Sequence, residues 1–576
     1  MIAIKKDFSP RPKKFLIPEL VLLILLTSFF CLFETACTNA TKTHQIAINI
    51  NTDTVIKPVN RDLFGVSLAK ISRSQWLKPV DLKSVELKNL FNDLKPTVIT
   101  LDNNQLGLPF FPDSTGPFNK RLSIIGHLER INVARDQTGI KLMEKAKQEK
   151  IYSHPPHTNY DDLLGFFESL QNRPKIVLRI PTIFTDQSKR FFNMKVNVDP
   201  ATGADLVSYL NDDKTTKLGR LRAVNGHPDP YNIKTFVLGN EYWTYNQFTA
   251  MSREQITSQY SAFARAMKKA DPDIKLGINL VDDSYPHELL KQQTMKNYDK
   301  LFDYNHAILN NTTSMIDFVT FHVYSGFCQE TPFKNPTRDQ WKFVMAQNYF
   351  KEKYDCAGKH TRLASRNNKK LDYAIDEYMG PLFSLGGALY NAEYIMYLMN
   401  NNPDYATVWN CGVMEPDWYF GLLRVKQGQD ANKYVKRPAY YALWVFTNLF
   451  SGSIVKSQIS FCPTFETKQI ESKYFNWPAA KEIPCLKTIA SVDNKKLTLI
   501  VVNRDMELDI TAKINLAAFG SAQNAKVYEL NAPSIDANNE KKTDVNIKTY
   551  ELKGNMDSFE MKFKKHSLTA LVFTKK

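Results

Sequence analysis

Cysteine is scarce in this chain, with 7 among 576 residues, and none shows the Cys-x-x-Cys spacing of a zinc or redox site. Glycine and proline, at 22 and 28, are too few for a collagen-like or low-complexity chain. The hydrophobic share of 43% and the charged share of 23% are those of a globular protein long enough to bury a large core. Disulfide-dense, fibrous, coiled-coil and disordered classes are therefore excluded.

Long apolar runs are absent after residue 40, so no later segment is predicted to cross a membrane. Before it, basic residues precede the apolar stretch 21–33 and small residues follow, the order of a bacterial-type export signal. We predict that residues 1–40 are this signal and that the protein is exported, to the bacterial cell envelope as a lipoprotein or periplasmic protein, or by secretion. Lipidation of Cys37, cleavage after Ala40 and retention of the signal as an anchor all stay open, since Glu34 stands where lipoprotein signals normally carry Leu.

Positive charge exceeds negative charge, with 75 Lys and Arg against 59 Asp and Glu and a formal net charge of +16. The excess is spread along the chain and coincides with no nucleic-acid motif. We therefore expect no nucleic-acid partner, and contact with a membrane only through a lipid on Cys37 or an uncleaved signal. The sequence leaves the oligomeric state unknown.

Five cysteines lie beyond the signal, and an odd number in an oxidising compartment suggests two bridges and one free thiol. Proximity in sequence favours pairing Cys328 with Cys356 and Cys462 with Cys485, which leaves Cys411, although other pairings and buried thiols stay open. His154 and His157 have no Cys or acidic partner at ligand spacing. We predict neither a metal site nor a cofactor.

Short apolar runs alternate with amphipathic helical patterns between residues 62 and about 430, which is typical of repeated βα units around a parallel sheet. Eight runs predict an α/β fold, a closed (β/α)8 TIM barrel over 62–435. The predicted strands are Phe64–Ala69, Thr97–Leu101, Lys175–Pro181, Thr235–Glu241, Ile274–Leu280, Asp317–Tyr324, Tyr373–Tyr378 and Thr407–Trp409.

The pattern changes after residue 435 to short alternating strands separated by Asn, Asp, Gly and Lys. It predicts a C-terminal antiparallel β-sandwich domain over 436–576. Residues 41–61 contain a similar alternation and are predicted to add a strand to this sandwich before the chain enters the barrel.

Two carboxylates stand at the ends of predicted barrel strands, Glu241 after the fourth and Glu377 on the seventh. The carboxyl ends of barrel strands meet at one mouth, so both side chains are expected to face one pocket. Paired carboxylates are what glycosidic cleavage needs, because one protonates the departing oxygen while the other attacks the anomeric carbon or activates water. Taken singly, a Glu at a strand end is more often a surface ion-pair partner, so the pair carries the prediction.

The segments 221–231 and 236–243, which contain Leu-Gly-Asn-Glu, resemble the clan A glycoside hydrolases, and in particular the family 51 α-L-arabinofuranosidases. The segments 437–443 and 566–571 resemble the sandwich junction and last strand of that family. The resemblance implies a retaining hydrolase with a carbohydrate substrate. It implies that Glu241 is the acid/base and Glu377 the nucleophile.

The resemblance also implies substrate-binding roles for neighbouring residues. Asn240 would bond the hydroxyl beside the anomeric carbon, Tyr324 would hold the nucleophile, and His322 would contact the sugar or the acid. Trp409 could offer an aromatic face to a sugar or pack in the core. The roles require Glu241 to stay protonated and Glu377 ionised near neutral pH, and retention requires carboxyls about 5–5.5 Å apart.

Two departures from family 51 concern the segments that hold arabinofuranose. An Arg-Pro-Gly-Gly type segment is replaced by Thr100 to Gln105, and the early Glu is missing from Phe64 to Lys70. A glucuronidase or heparanase-like hydrolase of acidic glycans, and a non-catalytic glycan-binding envelope protein, therefore stay as alternatives.

Overall fold

The computed structural model describes residues 45–68, 82–102, 108–148, 153–185, 195–243, 252–284, 303–325, 336–366, 369–380, 383–411, 421–425, 434–471, 476–520 and 522–575. The predicted export signal, Cys37 and Cys328 lie outside these ranges. From Ala47 onward the chain forms one compact unit. Within the described part, no helix is both long and apolar enough to cross a membrane.

The N-terminal three quarters of the chain alternate strands and helices. The strands in chain order are β1 (Ala47–Pro58), β2 (Gly65–Ser67), β3 (Val98–Asp102), β4 (Lys175–Ile180), β5 (Ile183–Thr185), β6 (Lys195–Asn197), β7 (Thr235–Leu238), β8 (Lys275–Leu280), β9 (Phe318–Tyr324), β10 (Ser365–Arg366), β11 (Lys369–Lys370), β12 (Asp372–Met379), β13 (Ala406–Val408), β14 (Leu423–Val425) and β15 (Tyr434–Lys436).

The helices mostly bury one apolar face against the strands and begin at polar caps. They are α1 (Val85–Leu94), α2 (Ile124–Arg130), α3 (Gln137–Gln148), α4 (Tyr160–Glu168), α5 (Ala201–Asn211), α6 (Lys217–Val224), α7 (Arg253–Ala270), α8 (Arg338–Lys353), α9 (Cys356–Ala364), α10 (Leu385–Asn401) and α11 (Pro438–Leu449). Helix α7 begins with a capping box: the Ser252 hydroxyl accepts from the Gln255 backbone N–H, and the Gln255 side-chain oxygen accepts from the Ser252 backbone N–H.

Eight parallel strands close into a barrel in the order β12-β13-β2-β3-β4-β7-β8-β9. All eight match the strands predicted from the alternating pattern, so the predicted TIM barrel is confirmed. Its floor is a fully buried apolar cluster contributed by several strands, namely Val98, Val177, Val237, Phe318, Ala374 and Tyr405. This packing fills one end of the barrel interior, so a site inside the barrel must lie at the other end, where the strands end.

The C-terminal domain is a largely antiparallel sheet. Its region contains β16 (Ser453–Ser460), β17 (Thr464–Thr467), β18 (Ile470–Glu471), β19 (Asn476–Trp477), β20 (Ala480–Pro484), β21 (Leu486–Asp493), β22 (Lys496–Asn503), β23 (Ile510–Ala517), β24 (Ala522–Leu530), β25 (Ile547–Lys553), β26 (Ser558–Phe563) and β27 (Ser567–Lys575). Nine strands form one sheet in the order β25-β24-β27-β22-β21-β16-β1-β23-β26. The sheet folds over itself, because Phe559 on β26 meets Phe573 on β27 with ring centroids 6.0 Å apart.

Strand β1 joins this sheet from the other end of the chain. It pairs antiparallel with β16, where Ile48 faces Ile459, and parallel with β23, where Ile48 faces Ile514. The alternating residues of β1 explain this placement, since Ile48 and Ile50 are fully buried. The barrel is thus inserted between β1 and the rest of the sheet.

The sheet and the barrel are joined by buried ion pairs. Arg504 donates from Nε to Glu393 on α10 at 2.8 Å, and both side chains are almost completely buried. Arg437, at the start of α11, donates to Glu540 at 2.8 Å. These contacts fix the sheet against the helices that follow β12 and β13.

Four cysteines lie in the described ranges, and Cys356, Cys411, Cys462 and Cys485 all carry free thiols. The suggested bridge between Cys462 and Cys485 is therefore wrong, although their segments pair in β17 and β20, with Thr464 opposite Pro484. Burial raises the pKa of the Cys411 thiol, as expected for an inert thiol in an apolar core.

Candidate active site

Glu241 lies just beyond the end of β7, at a sharp turn. Gly239 and Glu241 have φ angles of 73° and 48°, in the left-handed region that non-glycine residues rarely adopt. The turn is held by the Glu241 amide, which donates to Asn279 Oδ1 at 3.0 Å. A side chain on Gly239 would meet the Tyr242 ring at 2.5 Å, so the position requires glycine.

Glu377 reaches the same mouth through a bulge in β12. Ile375 pairs with Phe321 and Glu377 with His322 on β9, which leaves one extra residue, Asp376, between the two pairs. In a regular strand, successive side chains point to opposite faces. The bulge lets Asp376 and Glu377 both turn toward the barrel interior, where both are almost completely buried.

Arg179 on β4 neutralises both of these carboxylates. Its Nη1 donates to Glu377 Oε1, and its Nη2 donates to Asp376 Oδ2 at 2.9 Å. The guanidinium is fully buried, so the ion pairs are shielded from water. Sequence reasoning missed Arg179 and Asp376, yet an Arg inside the apolar run Lys175–Ile180 is a usable signal, because a buried guanidinium needs acceptors and carboxylates are its strongest partners.

His322 lies among three carboxylates. Its Nδ1 is 2.7 Å from Glu241 Oε1 and 3.3 Å from Glu377 Oε2, and its Nε2 is 3.4 Å from Asp376 Oδ1. Burial alone would lower the pKa of His322, but the charges of Glu377 and Asp376 and hydrogen bonds to Asp376 and Glu241 raise it to about 10. These surroundings favour the imidazolium form of His322.

Glu377 and Glu241 differ in pKa. Burial raises the pKa of Glu377 to about 7, even though His322 and Arg179 act in the opposite direction. Burial also acts to raise the pKa of Glu241, but the hydrogen bond and charge of His322, followed by Arg179, outweigh it and lower that pKa. Glu377 thus has the higher pKa and Glu241 the lower one. This order is the opposite of the one expected from the sequence, because His322 donates most directly to Glu241.

The reversed order has a simple electrostatic cause. Two cations, Arg179 and His322, face the carboxylates of Glu241, Asp376 and Glu377, so a fully ionised site has one excess negative charge. Ionisation of the last carboxyl creates this uncompensated negative charge in a buried site. The cluster therefore keeps one proton up to a higher pH.

The remaining predicted residues also lie at this mouth. Tyr324 on β9 donates its hydroxyl to Glu377 Oε2. The Asn240 side chain is buried, and its Oδ1 has no hydrogen-bond partner. Trp409 follows β13, is half-buried, and precedes a cis peptide bond to Asn410. Trp243, which sequence reasoning did not select, lies edge-on to His322 with ring centroids 5.9 Å apart.

Oxygen atoms of Glu241 and Glu377 and a ring nitrogen of His322 all lie within 4.8 Å of one another. The same spacing could suit a metal ion, but the donor set fits one poorly. Glu377 already accepts from the guanidinium of Arg179 and the hydroxyl of Tyr324, and a guanidinium in contact with a ligand would repel a second cation. The two carboxyls are instead placed to act on one uncharged bond of a substrate that lies between them.

Exposure distinguishes the two carboxyls. The Glu241 side chain is 37% exposed, whereas the Glu377 side chain is 3% exposed. Residues 69–81, 103–107 and 412–420 lie outside the described part, and with them the last residues of the two departures from family 51, 69–70 and 103–105.

Two family models match the chain: the α-L-arabinofuranosidase 1 domain over residues 121–326 and the α-L-arabinofuranosidase C-terminal domain over residues 424–567. A probable α-L-arabinofuranosidase C of Aspergillus fumigatus is 24% identical over 440 residues, which cover 72% of this chain and 77% of that protein. An intracellular exo-α-(1→5)-L-arabinofuranosidase of Halalkalibacterium halodurans is 30% identical over 153 residues, covering 25% of this chain and 27% of the relative.

Solved structures share the fold. The arabinose complex of Thermotoga maritima α-L-arabinofuranosidase is similar over 92% of this chain and 99% of its own, with a TM-score of 0.67 and 18% identity. A family 44 xyloglucanase of Paenibacillus polymyxa is also similar over 92% of this chain and 99% of its own, with a TM-score of 0.56 and 12% identity.

The closed barrel, the appended sheet and these matches define a protein of glycoside hydrolase clan A. Both matched models and both of the relatives named above are α-L-arabinofuranosidases by description. The chain is a family 51-like, arabinofuranosidase-like glycoside hydrolase.

Proposed function

We propose that the protein is a retaining glycoside hydrolase that releases α-L-arabinofuranosyl groups from an oligosaccharide or polysaccharide. The observation that carries this proposal is the approach of Glu241 and Glu377, whose oxygens lie within 4.8 Å. Retaining enzymes hold their carboxyls about 5–5.5 Å apart, whereas inverting enzymes leave about 6.5–9.5 Å for a water. The activities named for the similar proteins support the choice of sugar.

In the first step, Glu377 attacks the anomeric carbon and Glu241 gives a proton to the departing oxygen. Arg179 and Tyr324 hold the two oxygens of Glu377 in place for this attack. The partial exposure of Glu241 leaves room for the leaving group on its side of the mouth. In the second step, Glu241 takes a proton from water, and the water oxygen displaces Glu377 from the sugar.

Two groups at the mouth are available to bind the sugar: a buried polar atom without a hydrogen-bond partner, and an aromatic ring. The buried Oδ1 of Asn240 lacks a partner, and a buried polar atom gains most from a ligand hydroxyl. Trp409 is half-buried after β13 and offers an aromatic face for the sugar ring. His322 and Tyr324 complete the set around the anomeric centre.

The test is hydrolysis of 4-nitrophenyl α-L-arabinofuranoside, with the first-formed sugar identified by proton NMR. The α anomer of arabinofuranose is expected, because two displacements restore the configuration. The first-formed β anomer would show inversion. Hydrolysis of a β-glucuronide but not of the arabinofuranoside would show that the sugar is wrong, and binding without hydrolysis would show a glycan-binding protein.

We also propose that the protein is exported, on the basis of the signal pattern over residues 1–40. Cell fractionation followed by mass spectrometry of the mature N-terminus tests this proposal. A diacylated Cys37 would indicate a lipoprotein, and an N-terminus at Thr41 would indicate plain cleavage. A cytoplasmic chain that retains Met1 would contradict export.

A further inference from the structure

His322 is the one imidazole that contacts both proposed catalytic carboxylates within the described residues. We propose that His322 carries the acid/base proton: it passes the proton to Glu241 for the departing group and takes it back after water is deprotonated. This inference rests on the proposed function and assigns His322 a catalytic role in place of mere contact.

The geometry supports a direct proton transfer. Nδ1 of His322 and Oε1 of Glu241 are 2.7 Å apart, the length of a charge-assisted hydrogen bond. The other ring nitrogen, Nε2, faces Asp376 Oδ1 at 3.4 Å. Asp376 is itself held by Arg179 at 2.9 Å, so the ring cannot turn away without breaking a buried ion pair. The ring is thus anchored on one side and free to exchange a proton on the other.

The charges around the ring come from four structural elements. Glu241 follows β7, Asp376 and Glu377 lie on β12, and Arg179 on β4 approaches Nε2 to 3.5 Å. On β9 itself, Tyr324 lies two residues away and donates to Glu377. The three carboxylates outweigh the single guanidinium, so the surroundings favour a charged ring.

A charged His322 ring favours the ionised form of Glu241. Glu241 is then poorly suited to act alone as the general acid. The 2.7 Å contact between Nδ1 of His322 and Oε1 of Glu241 suits a pair in which the ring holds the proton and the carboxylate accepts it. Transfer within the hydrogen bond to Glu241 Oε1 supplies it at the moment when the glycosidic bond weakens. His322, which stays charged over a wide pH range, thus stores the proton for Glu241.

The protons and bonds balance over the two steps. In the first, the bond between the anomeric carbon and the departing oxygen breaks, Glu377 bonds to the carbon, and the proton passes from Nδ1 through Glu241 to the oxygen. In the second, water gives a proton to Glu241, its oxygen bonds to the carbon, and Glu377 leaves. The proton on Glu241 returns to Nδ1, which restores the starting state.

A proton-storing His322 and a purely electrostatic His322 predict opposite shifts of the alkaline limb of kcat/KM when His322 is replaced. If His322 only stabilises charge, its removal raises the pKa of Glu241, and the alkaline limb of kcat/KM moves to higher pH. If His322 stores the proton, its removal leaves Glu241 to hold the proton alone, and the alkaline limb moves to lower pH.

The experiment compares the wild type with H322Q and H322N, using arabinofuranosides with 2,4-dinitrophenyl and methyl leaving groups. We expect the alkaline limb to move down by at least about one pH unit. We also expect a loss of about 100-fold to 10,000-fold with the methyl glycoside and a much smaller loss with the dinitrophenyl glycoside. His227, which pairs with Glu168 at 2.8 Å outside the barrel mouth, provides the matched control H227Q, which should leave both profiles unchanged.

A second measurement does not depend on turnover, and H227Q serves as its folded control. Nitrogen NMR of the wild type labelled with ¹⁵N-histidine should show one imidazolium that persists well above pH 7 and is missing from H322Q. A neutral His322 at pH 7, or an alkaline limb that stays or moves up, would overturn the relay while leaving the glycosidase intact. A wild type without any glycosidase activity would overturn both proposals.

Discussion

Arg179 and Glu377 lie on strands at opposite sides of the barrel, β4 and β12, and their side chains meet at its centre. Arg179 also binds Asp376, so one guanidinium holds both residues of the β12 bulge. The catalytic mouth and the barrel interior are therefore one connected ion-pair cluster, and a change in the cluster should affect both activity and stability.

Replacement of Arg179 by Met should destabilise the fold by about 3–5 kcal/mol, because it leaves the buried carboxylates of Asp376 and Glu377 with His322 as their one nearby cation, which they share with Glu241. Urea denaturation followed by circular dichroism measures the loss. Arg173 is a matched control, since it is largely exposed and pairs with Glu168 at 3.4 Å. R173M should change the stability by less than about 1 kcal/mol. Equal losses in the two variants would show that the buried ion pair is unimportant.

Glu377→Ala and Glu241→Ala should differ in how they depend on the leaving group. E377A should lose almost all turnover with every substrate, because no glycosyl-enzyme bond can form. E241A should lose about 100-fold to 10,000-fold with a methyl arabinofuranoside but much less with a dinitrophenyl one, which departs without a proton. Steady-state kinetics on both substrates checks this. Similar losses in E241A with the two leaving groups would contradict the acid role.

Activity should rise with pH on the acid side of the profile, up to about pH 7. The raised pKa of Glu377, about 7, means that its carboxyl gains a proton as the pH falls through that value. A protonated carboxyl is not a nucleophile, so kcat/KM should fall tenfold per pH unit below the limb. A pH profile of kcat/KM for 4-nitrophenyl α-L-arabinofuranoside measures the limb.

Tyr324→Phe provides the control for that assignment. The Tyr324 hydroxyl donates to the ionised form of Glu377, so its loss should raise the pKa of Glu377 and move the acid limb to higher pH. An acid limb that stays in place in Y324F would assign the limb to another group.

Glu393→Gln should weaken the attachment of the sheet to the barrel. It leaves Arg504 buried at the interface without its carboxylate, at a cost of about 3–5 kcal/mol. The exposed pair between Lys542 and Asp544 is the control, and K542Q should cost less than about 1 kcal/mol. Thermal denaturation followed by circular dichroism compares the two. A double replacement of Glu393 and Arg504 by Leu should restore much of the loss, and its failure to do so would point to packing instead of charge.

The fold was largely readable from the sequence because its signals are local. Eight apolar runs separated by amphipathic helices predict the barrel, and the Asn240–Glu241 and Glu377 positions follow from where those strands end. The alternating Ile48 and Ile50 likewise predict an edge-to-edge partner for β1. Each of these inferences needs only the period of the pattern.

The interior of the site could not be read in the same way. Simple alternation places Asp376 and Glu377 on opposite faces, and only the bulge in β12 brings both inward. The pairing of Arg179 with them spans most of the barrel and has no local signature. The reversed pKa order of Glu241 and Glu377 depends on His322, whose hydrogen bonds are set by three strands at once. Such features arise from tertiary geometry.

The position of β1 governs how the chain can be assembled and divided. Since β1 lies between β16 and β23, the sheet without it would be two separate pieces. During synthesis, β1 leaves the ribosome long before either neighbour exists, and it must wait while the whole barrel is translated. A fragment that starts after the barrel would therefore present two unpaired edges and invite aggregation. The natural units for truncation, fusion or circular permutation of this protein are accordingly those that keep β1 with its distant neighbours.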